Sequence, residues 1–214
     1  MNDIAIFGVG GFGKEVACII KQINEVNPVW NLIGFFDDNT KLHGQKTDYG
    51  DVLGGCETLN GWEKPLSVII AVGSPRALRA ISSRITNPLV DFPNIIAPSV
   101  TFLDESRVRM GKGNIFCTNC MISTNVEVGD FNVFIGYIPL GHDAKVGNYN
   151  VVMPSCNISG GVEIGDCNFF GVQSVVLQYL KVGSNTRVGA NSVIMRNTKD
   201  GCLYVGNPAK RMDL

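Results

Sequence analysis

The sequence predicts a chain of two parts, a small parallel α/β unit followed by a solenoid of short β-strands. Three observations support this: an apolar strand runs into a glycine-rich turn near the N-terminus, apolar residues recur at every sixth position in the second half, and 25 of the 214 residues are glycine. Glycine averages about 7% of residues in proteins, so this excess indicates repeated turns or close packing. We expect the α/β unit to span residues 1–94 and the solenoid to span residues 95–214.

The composition excludes several classes of protein. With 18 basic and 19 acidic residues the net charge is -1, so no basic face is available for a nucleic-acid backbone. Hydrophobic residues make up 45% of the chain, which is enough for a folded core. There is no apolar run of about 18 residues and no signal-peptide pattern, and the seven cysteines lack paired C-x-x-C motifs. We therefore expect no membrane span and a cytoplasmic location with reduced thiols.

The elements of the α/β unit follow from local patterns. An apolar strand at residues 4–7 runs directly into G-V-G-G-F-G at residues 8–13. This order is typical of a Rossmann-like sheet, in which a glycine turn leads from a strand into a helix. The same patterns predict helices at residues 14–23 and 76–85, and strands at residues 32–36 and 66–73.

The glycine turn by itself leaves its role open. G-x-G-x-x-G is found in dinucleotide sites, but this unit is too short for the second mononucleotide-binding half that a dinucleotide requires. A tight strand-to-helix turn without a ligand would show the same pattern.

The second half carries a repeat of six residues. Fifteen successive positions, spaced by six, are all apolar, and at a 45% apolar frequency chance produces such a run about once in 10⁵ trials. Neither a helix nor a flat strand has this period, whereas a coil of three short strands has about 18 residues per turn. The inward positions are Met110, Phe116, Ile122, Val128, Phe134, Leu140, Val146, Val152, Ile158, Ile164, Phe170, Val176, Val182, Val188 and Ile194.

Small and branched residues two positions before these predict a second inward row, in which Cys120 and Cys156 act as small core residues. Glycine often follows the inward residue, and we expect the chain to turn there, with Asn and Asp at the remaining turns. The glycines are at 111, 129, 141, 147, 165, 171, 183 and 189.

The repeat of an aliphatic residue, glycine and a small residue resembles that of the hexapeptide-repeat acyltransferases. The resemblance implies a left-handed parallel β-helix and an acyl-transfer reaction. A structural solenoid without catalysis is the alternative for such a repeat.

The order of motifs points to one group within these enzymes. A glycine loop, an acidic pair, a glycine after the third strand and then hexapeptide repeats resemble the sialic-acid O-acetyltransferase and bacillosamine N-acetyltransferase family. The resemblance implies that the N-terminal motifs hold a nucleotide-linked amino sugar, which we expect to be UDP- or dTDP-linked. The matching positions are Gly10, Gly11, Phe12, Asp37, Asp38 and Gly73.

The chain has two histidines, and only one of them matches a catalytic motif. His43 lies in a polar turn, where a solvated side chain is expected. His142 is followed by Asp143 in the middle of the solenoid, as in the family's motif. An imidazole is suited to take the proton of an attacking amine or hydroxyl, and the adjacent carboxylate stabilises the imidazolium. Gly160 is 18 residues further on, so it stacks one coil above, where its N–H is expected to meet the oxyanion.

The family resemblance implies acetyl-coenzyme A as acyl donor, lying between neighbouring solenoids of a homotrimer. The matching positions for the coenzyme arm are Val151, Gly160, Val172 and Ala190. Lys210 and Arg211, in a closing G-N-P-A-K stretch, are candidates for its phosphates; a solvated basic tail is the alternative.

Several activities remain as alternatives. A zinc enzyme of the γ-carbonic anhydrase type needs three histidine ligands, and His142 is the only histidine of the solenoid, so we expect no metal. The favoured function is N-acetylation of a 4-amino-4,6-dideoxy sugar. O-acetylation of a sialic acid-like or other cell-surface sugar and a non-catalytic sugar-nucleotide-binding solenoid remain open. A serine-type O-acetyltransferase fits less well, because those enzymes usually carry a helical N-terminal domain.

Overall fold

The computed structural model describes residues 1–212, and its first part is a six-stranded sheet with helices. The strand order is β3-β4-β2-β1-β5-β6, parallel throughout except for the β3–β4 hairpin. The elements are β1 (Asn2–Phe7), α1 (Gly11–Val26), β2 (Trp30–Phe36), β3 (Lys46–Thr47), β4 (Gly50–Gly54), α2 (Cys56–Asn60), β5 (Leu66–Ile70), α3 (Pro75–Arg84) and β6 (Val90–Asp91), with a 3₁₀ turn at Thr40–Leu42. The predicted Rossmann-like unit is confirmed.

Glycines in the first turn allow β1 and α1 to pack closely. Gly8 has φ +110°, and a Cβ there would lie 2.7 Å from the carbonyl oxygen of Ala71. At Gly13 a Cβ would collide with the carbonyl oxygen of Gly8, so no side chain fits between turn and helix. Helix α1 begins at Gly11, three residues earlier than its apolar pattern predicts, and the turn lies at the carboxyl edge of the sheet.

The second part is a coil of three parallel sheets. Each strand pairs with the strand 18 residues further along, as in Val133↔Val151, Met121↔Pro139 and Glu127↔Lys145. This is the parallel β-helix that the period of six predicts. Its strands are β7 (Ile95–Ile96), β8 (Thr101–Phe102), β9 (Arg109–Met110), β10 (Ile115–Phe116), β11 (Met121–Ile122), β12 (Glu127–Val128), β13 (Val133–Phe134), β14 (Pro139–Leu140), β15 (Lys145–Val146), β16 (Val151–Val152), β17 (Asn157–Ile158), β18 (Glu163–Ile164), β19 (Phe169–Phe170), β20 (Val175–Val176), β21 (Lys181–Val182), β22 (Arg187–Val188) and β23 (Val193–Ile194). A 3₁₀ turn occurs at Glu105–Arg107, and β24 (Leu203–Val205) and β25 (Lys210–Met212) close the end.

The inside of the coil is filled as the repeat predicts. Of the fifteen inward positions, all are buried except Met110, which is half-buried at the first complete coil. Phe116 and Phe134 stack with centroids 4.4 Å apart. Asparagines one coil apart form a buried ladder, in which the Asn132 side chain donates to the carbonyl of Gly147 and to the Asn114 side chain. The ladder satisfies polar groups at the corners that water does not reach; within residues 1–212 the exception is the side-chain nitrogen of Asn168.

The turns differ from the prediction in one respect. The glycines that follow the inward residues do not have a positive φ; the left-handed residues come two positions later, for example Tyr137, Asp143 and Tyr149, with φ between 56° and 59°. The glycines are needed instead because the next coil lies directly against them, as at Gly129, where a Cβ would lie 2.8 Å from the Gly147 carbonyl oxygen. Close stacking of coils, and not backbone conformation, explains the periodic glycine.

The three outer faces of the coil have different surroundings. The face of β7, β10, β13, β16, β19 and β22 is largely covered by the N-terminal unit, and we call it the covered face. The face of β8, β11, β14, β17, β20 and β23 carries no charged strand residue and is the uncharged face. The face of β9, β12, β15, β18 and β21 is the charged face. Its outward residues alternate in sign: Arg109, Glu127, Lys145, Glu163 and Lys181.

The two parts share one hydrophobic core across the covered face. Ile115, Val133 and Val151 point outward from the coil yet are completely buried against the N-terminal unit. The last strand of the sheet ends at Asp91 and the first strand of the coil begins at Ile95. The boundary at residues 94 and 95 stays a prediction. Within residues 1–212 we find no helix with the length and apolar character needed to cross a membrane.

Candidate active site

The centre of the candidate site is the pair of His142 and Asp143, which lies at the corner between the uncharged and charged faces. The Nδ1 atom of His142 lies 2.7 Å from a carboxylate oxygen of Asp143. The left-handed backbone of Asp143, with φ +58°, turns its side chain back toward the ring of the preceding residue. Asn125, one coil below, donates to the same carboxylate at 3.2 Å. The hydrogen bond from His142, followed by that from Asn125, lowers the pKa of Asp143.

The other ring nitrogen of His142 faces Gly160. A Cβ built on Gly160 would lie 2.5 Å from Nε2, so the ring rests directly on the backbone of the coil above. Within residues 1–212, Nε2 has no hydrogen-bond partner, and neither has the N–H of Gly160. A free imidazole nitrogen therefore lies beside a free backbone donor. This arrangement suits a general base next to an oxyanion-binding N–H.

The predicted nucleotide residues lie at the carboxyl edge of the sheet. The carboxylate of Asp37 accepts from the N–H of Val9 at 3.1 Å and thus reaches over the glycine turn. Gly10, Gly11 and Gly73 border open space: within residues 1–212, no atom outside the neighbouring residues and their own helix lies within 4 Å of a Cβ built on any of them. These residues form one accessible edge, and their role in holding a nucleotide stays a prediction.

Phe12 is half-buried and packs against the hydrophobic core. Its ring therefore has only part of its surface available to a ligand.

Asp38 differs from the expectation for a nucleotide ligand. Its carboxylate accepts from the N–H of Cys56 at 3.1 Å and forms an ion pair with Arg84 at 2.7 Å. Burial acts to raise its pKa, but the hydrogen bonds from Arg84 and Cys56 and the Arg84 charge outweigh it, and the pKa is lowered. Asp38 thus ties the start of α2 to the end of α3, and its contacts are structural.

The predicted coenzyme positions fall into two groups. Val151 is completely buried in the shared core, so its side chain offers no surface to a coenzyme, and a contact through its backbone stays a prediction. Val172 and Ala190 line a groove of about 280 Å³ on the edge of the covered face. The period of six predicts that all three residues lie on the coil, but it does not predict which of them the N-terminal unit covers.

The basic residues of the C-terminal stretch are exposed on β25. Lys210 lines a cavity of about 570 Å³ together with Arg196. His142, Gly160, Gln178 and Arg196 are spaced by 18 residues and so occupy the same position on successive coils. Arg196 is three coils above His142, which at about 4.8 Å per coil is a distance of about 14 Å. Arg211 pairs with Tyr204 in the β24–β25 hairpin.

We call the carboxyl edge of the sheet, with Gly10, Gly11, Asp37 and Gly73, the nucleotide edge. Within one chain it does not lie next to His142. The N-terminal unit packs on the covered face. His142 lies at the corner between the other two faces, which in a three-sided coil is opposite the covered face. Within one chain, the two halves of the candidate site therefore lie apart.

The sequence and the fold both match known proteins. Residues 3–85 match the family model described as the PglD N-terminal domain. The acetyltransferase domain of PglB from Neisseria gonorrhoeae, solved in complex with acetyl coenzyme A, aligns over 99% of this chain and 100% of that chain, with 26% identity and a TM-score of 0.88. The chain shares the fold of the PglB acetyltransferase domain over almost its whole length. No curated protein sequence matches it significantly.

Two further structures share the fold of this chain. WeeI from Acinetobacter baumannii has 24% identity and a TM-score of 0.87, covering 99% of this chain and 100% of that one. PerB from Caulobacter crescentus, solved with CoA and GDP-perosamine, has 23% identity and a TM-score of 0.87, covering 100% of this chain and 98% of that one.

Three polar residues beside the candidate site or in a nearby cleft were not predicted from the sequence. Asn125 lies 18 residues before Asp143, so the coil period would have found it. Arg76 and Arg187 line a common cleft between the N-terminal unit and the coil, and no local pattern links them. Within the described residues, 1–212, no group of three or more His, Cys, Asp or Glu side chains is placed to share a metal ion.

Proposed function

We propose that this protein N-acetylates a nucleotide-linked 4-amino-4,6-dideoxy sugar, with acetyl-coenzyme A as the acyl donor. The observation that carries the proposal is the geometry at His142: Nδ1 is held by Asp143 at 2.7 Å, and Nε2 is free beside the N–H of Gly160.

The proposed reaction is direct attack of the sugar amine on the thioester carbonyl. As the C–N bond forms, Nε2 of His142 takes a proton from the amine, and the carboxylate of Asp143 stabilises the imidazolium. The N–H of Gly160 donates to the oxyanion of the tetrahedral intermediate. When the C–S bond breaks, the imidazolium returns the proton to the departing thiolate, so that free coenzyme A and the acetamido sugar are released.

A homotrimer is part of the proposal, because the nucleotide edge and His142 of one chain lie on opposite sides of the coil. The uncharged face is its proposed interface. It carries exposed apolar side chains, among them Met121 at 38% and Met195 at 47% exposure, whereas the charged face pairs its own charges, as between Lys181 and Glu163 at 2.8 Å. Interface cores are depleted in charge, which favours the uncharged face. We assign the coil the left-handed sense of the hexapeptide-repeat enzymes.

Similar proteins support the substrate classes. The PglB acetyltransferase domain was solved with acetyl coenzyme A, and PerB was solved with CoA and GDP-perosamine, a nucleotide-linked amino sugar. We place the reaction in the cytoplasm, because all seven cysteines are unpaired, which is typical of a reducing compartment.

The experiment is an assay of thiol release from acetyl-coenzyme A with a panel of UDP-, dTDP- and GDP-linked amino sugars, together with hydroxyl analogues. We expect one nucleotide-linked amine to be acetylated and its hydroxyl analogue to be inert. His142→Ala should lower kcat by about 10²–10⁴-fold, the usual contribution of a general base. His43 cannot serve as the control, because its Nε2 lies 2.7 Å from the backbone oxygen of Asp37 in the proposed nucleotide site. The control is Lys64→Ala, at an exposed position in the turn before β5, which should retain full activity.

The outcomes separate the alternatives. Acetylation of the hydroxyl analogue in place of the amine would identify an O-acetyltransferase. Full activity of His142→Ala would disprove the assignment of the base. Absence of transfer to every acceptor, with nucleotide binding retained, would favour a non-catalytic binding protein.

A further inference from the structure

A cleft of about 300 Å³ separates the N-terminal unit from the upper coils, and two arginines line it. It lies between the β5–α3 turn and the covered face, where the shared core ends. None of its lining residues is acidic. They are Gly73, Ser74, Pro75, Arg76, Cys167, Phe169, Asn185 and Arg187.

The two arginines come from different parts of the chain. Arg76 is the second residue of α3, and Arg187 is the first residue of β22. Within residues 1–212 neither has an ion-pair partner, whereas Arg84 at the other end of α3 is paired with Asp38 at 2.7 Å. The guanidinium of Arg187 lies over the ring of Phe169, 5.9 Å from its centroid, which helps to hold it at the cleft wall. Two cations that share a cleft without an acid form a site of positive potential, which an anion would relieve.

The cleft continues the nucleotide edge of the sheet. Gly73 belongs to both, because it borders the cleft and follows β5, whose neighbour β1 leads into the glycine turn. Gly8 in that turn packs against the carbonyl of Ala71, so the two turns touch. In a parallel sheet the ligand lies across the carboxyl ends of the strands. A nucleotide with its ribose at Asp37 and its phosphates at the glycine turn would therefore have its diphosphate on the side that faces the two arginines.

We infer that this cleft binds the diphosphate of the acceptor sugar nucleotide, with Arg76 and Arg187 as its cationic ligands. The inference rests on the proposed function for the identity of the anion. It makes the coil of the same chain a part of the nucleotide site, so that ligand binding ties the two parts of the chain together. Arg187 also borders the groove of Val172 and Ala190, which places acceptor phosphates next to the proposed donor groove.

The test is calorimetric binding, without coenzyme A, of UDP, dTDP and GDP and of the corresponding nucleosides. The wild-type protein should bind its preferred diphosphate more tightly than the nucleoside. Arg76→Gln and Arg187→Gln should each weaken the diphosphate by about 10-fold and leave the nucleoside unchanged, because a charge-assisted bond is lost. The matched controls are Arg79→Gln, one turn further along α3, and Arg109→Gln, at the equivalent strand position of the charged face; both should bind as the wild type does.

Unchanged diphosphate affinity in Arg76→Gln and Arg187→Gln would overturn the inference. So would a raised KM for acetyl-coenzyme A without any loss of diphosphate binding, because the cleft would then serve the donor. Both arginines are exposed, so the variants should fold, and their thermal unfolding checks this. The readout is independent of catalysis: weakened diphosphate binding in a protein that transfers no acetyl group would support the cleft and refute the proposed function.

Discussion

Replacing Gly160 by alanine adds a single methyl group at the corner of the coil where its backbone contacts the ring of His142. The new Cβ would lie 2.5 Å from Nε2 of His142, 2.7 Å from Cε1 and 2.9 Å from Cδ2, whereas ordinary contacts begin at 3.4 Å. The ring must therefore retreat by about 0.9 Å, the difference between 3.4 and 2.5 Å. The backbone N–H remains, and Gly160 has no positive φ, so alanine adopts its conformation without strain.

A displacement of this size is costly for a base that must reach the substrate proton. A shift of about 1 Å in a catalytic group lowers the rate by about 10²-fold, which corresponds to about 2.7 kcal/mol of transition-state stabilisation. Stability should change by less than about 0.5 kcal/mol, since the side chain that must move is half exposed to solvent.

The assay is kcat from thiol release, with thermal unfolding measured in parallel. The control is Gly61→Ala, where a Cβ would lie 3.6 Å from the nearest atom, far from the corner. It should retain the wild-type kcat. Wild-type kcat in Gly160→Ala would refute the argument, because the ring would then not occupy this position during catalysis.

Three further predictions concern other parts of the chain. Lys210→Ala should raise the KM for acetyl-coenzyme A about 10-fold, with little change in kcat, if this side chain binds a phosphate of the donor. Arg84→Gln should lower the Tm slightly at neutral pH, because it removes the partner of Asp38. The folded pKa of Asp38 lies below its usual 3.8, so the pair stabilises the protein above that pH and this contribution is lost as the pH falls further; the Tm difference between wild type and variant should close there. Met121→Lys should dissociate the proposed trimer and abolish activity, since a charge would enter the uncharged face; light scattering reports the mass.

Each of these three has a matched control. Lys64→Ala removes an exposed lysine that does not line the cavity of Lys210. If it raises the KM for acetyl-coenzyme A as much as Lys210→Ala does, Lys210 does not bind a phosphate of the donor. Arg79→Gln removes an exposed arginine from the same helix as Arg84 without breaking the ion pair, so its Tm difference from the wild type should not change with pH. Ser83→Lys adds a charge to an exposed part of α3 and should leave the trimer intact. If Met121→Lys also leaves the trimer intact, the interface lies elsewhere.

The parts of the site that could be predicted from sequence are those that depend on local spacing. His142 and Asp143 are adjacent, so a single left-handed residue is enough to bring their side chains together. Gly160 lies 18 residues from His142, and the period of the coil stacks the two regardless of what surrounds the coil.

Predictions that depended on the environment of a residue were less successful. Val151 occupies the expected register, yet the N-terminal unit covers it. Asp38 follows a strand in the expected acidic pair, yet Arg84 uses its carboxylate for structure. The repeat contains no information about which face would be covered, because the inward positions look the same on all three faces.

The sequence by itself therefore determined the repeating coil, the Rossmann-like unit and the histidine–carboxylate pair, because each rests on a fixed spacing along the chain. Only the tertiary structure decided that the carboxyl edge of the sheet, the proposed nucleotide site, and His142 of one chain lie on opposite sides of the coil. It also decided that Arg76 and Arg187 share one cleft. Both results depend on how the N-terminal unit packs on the covered face, and that packing arises from contacts between residues far apart in sequence.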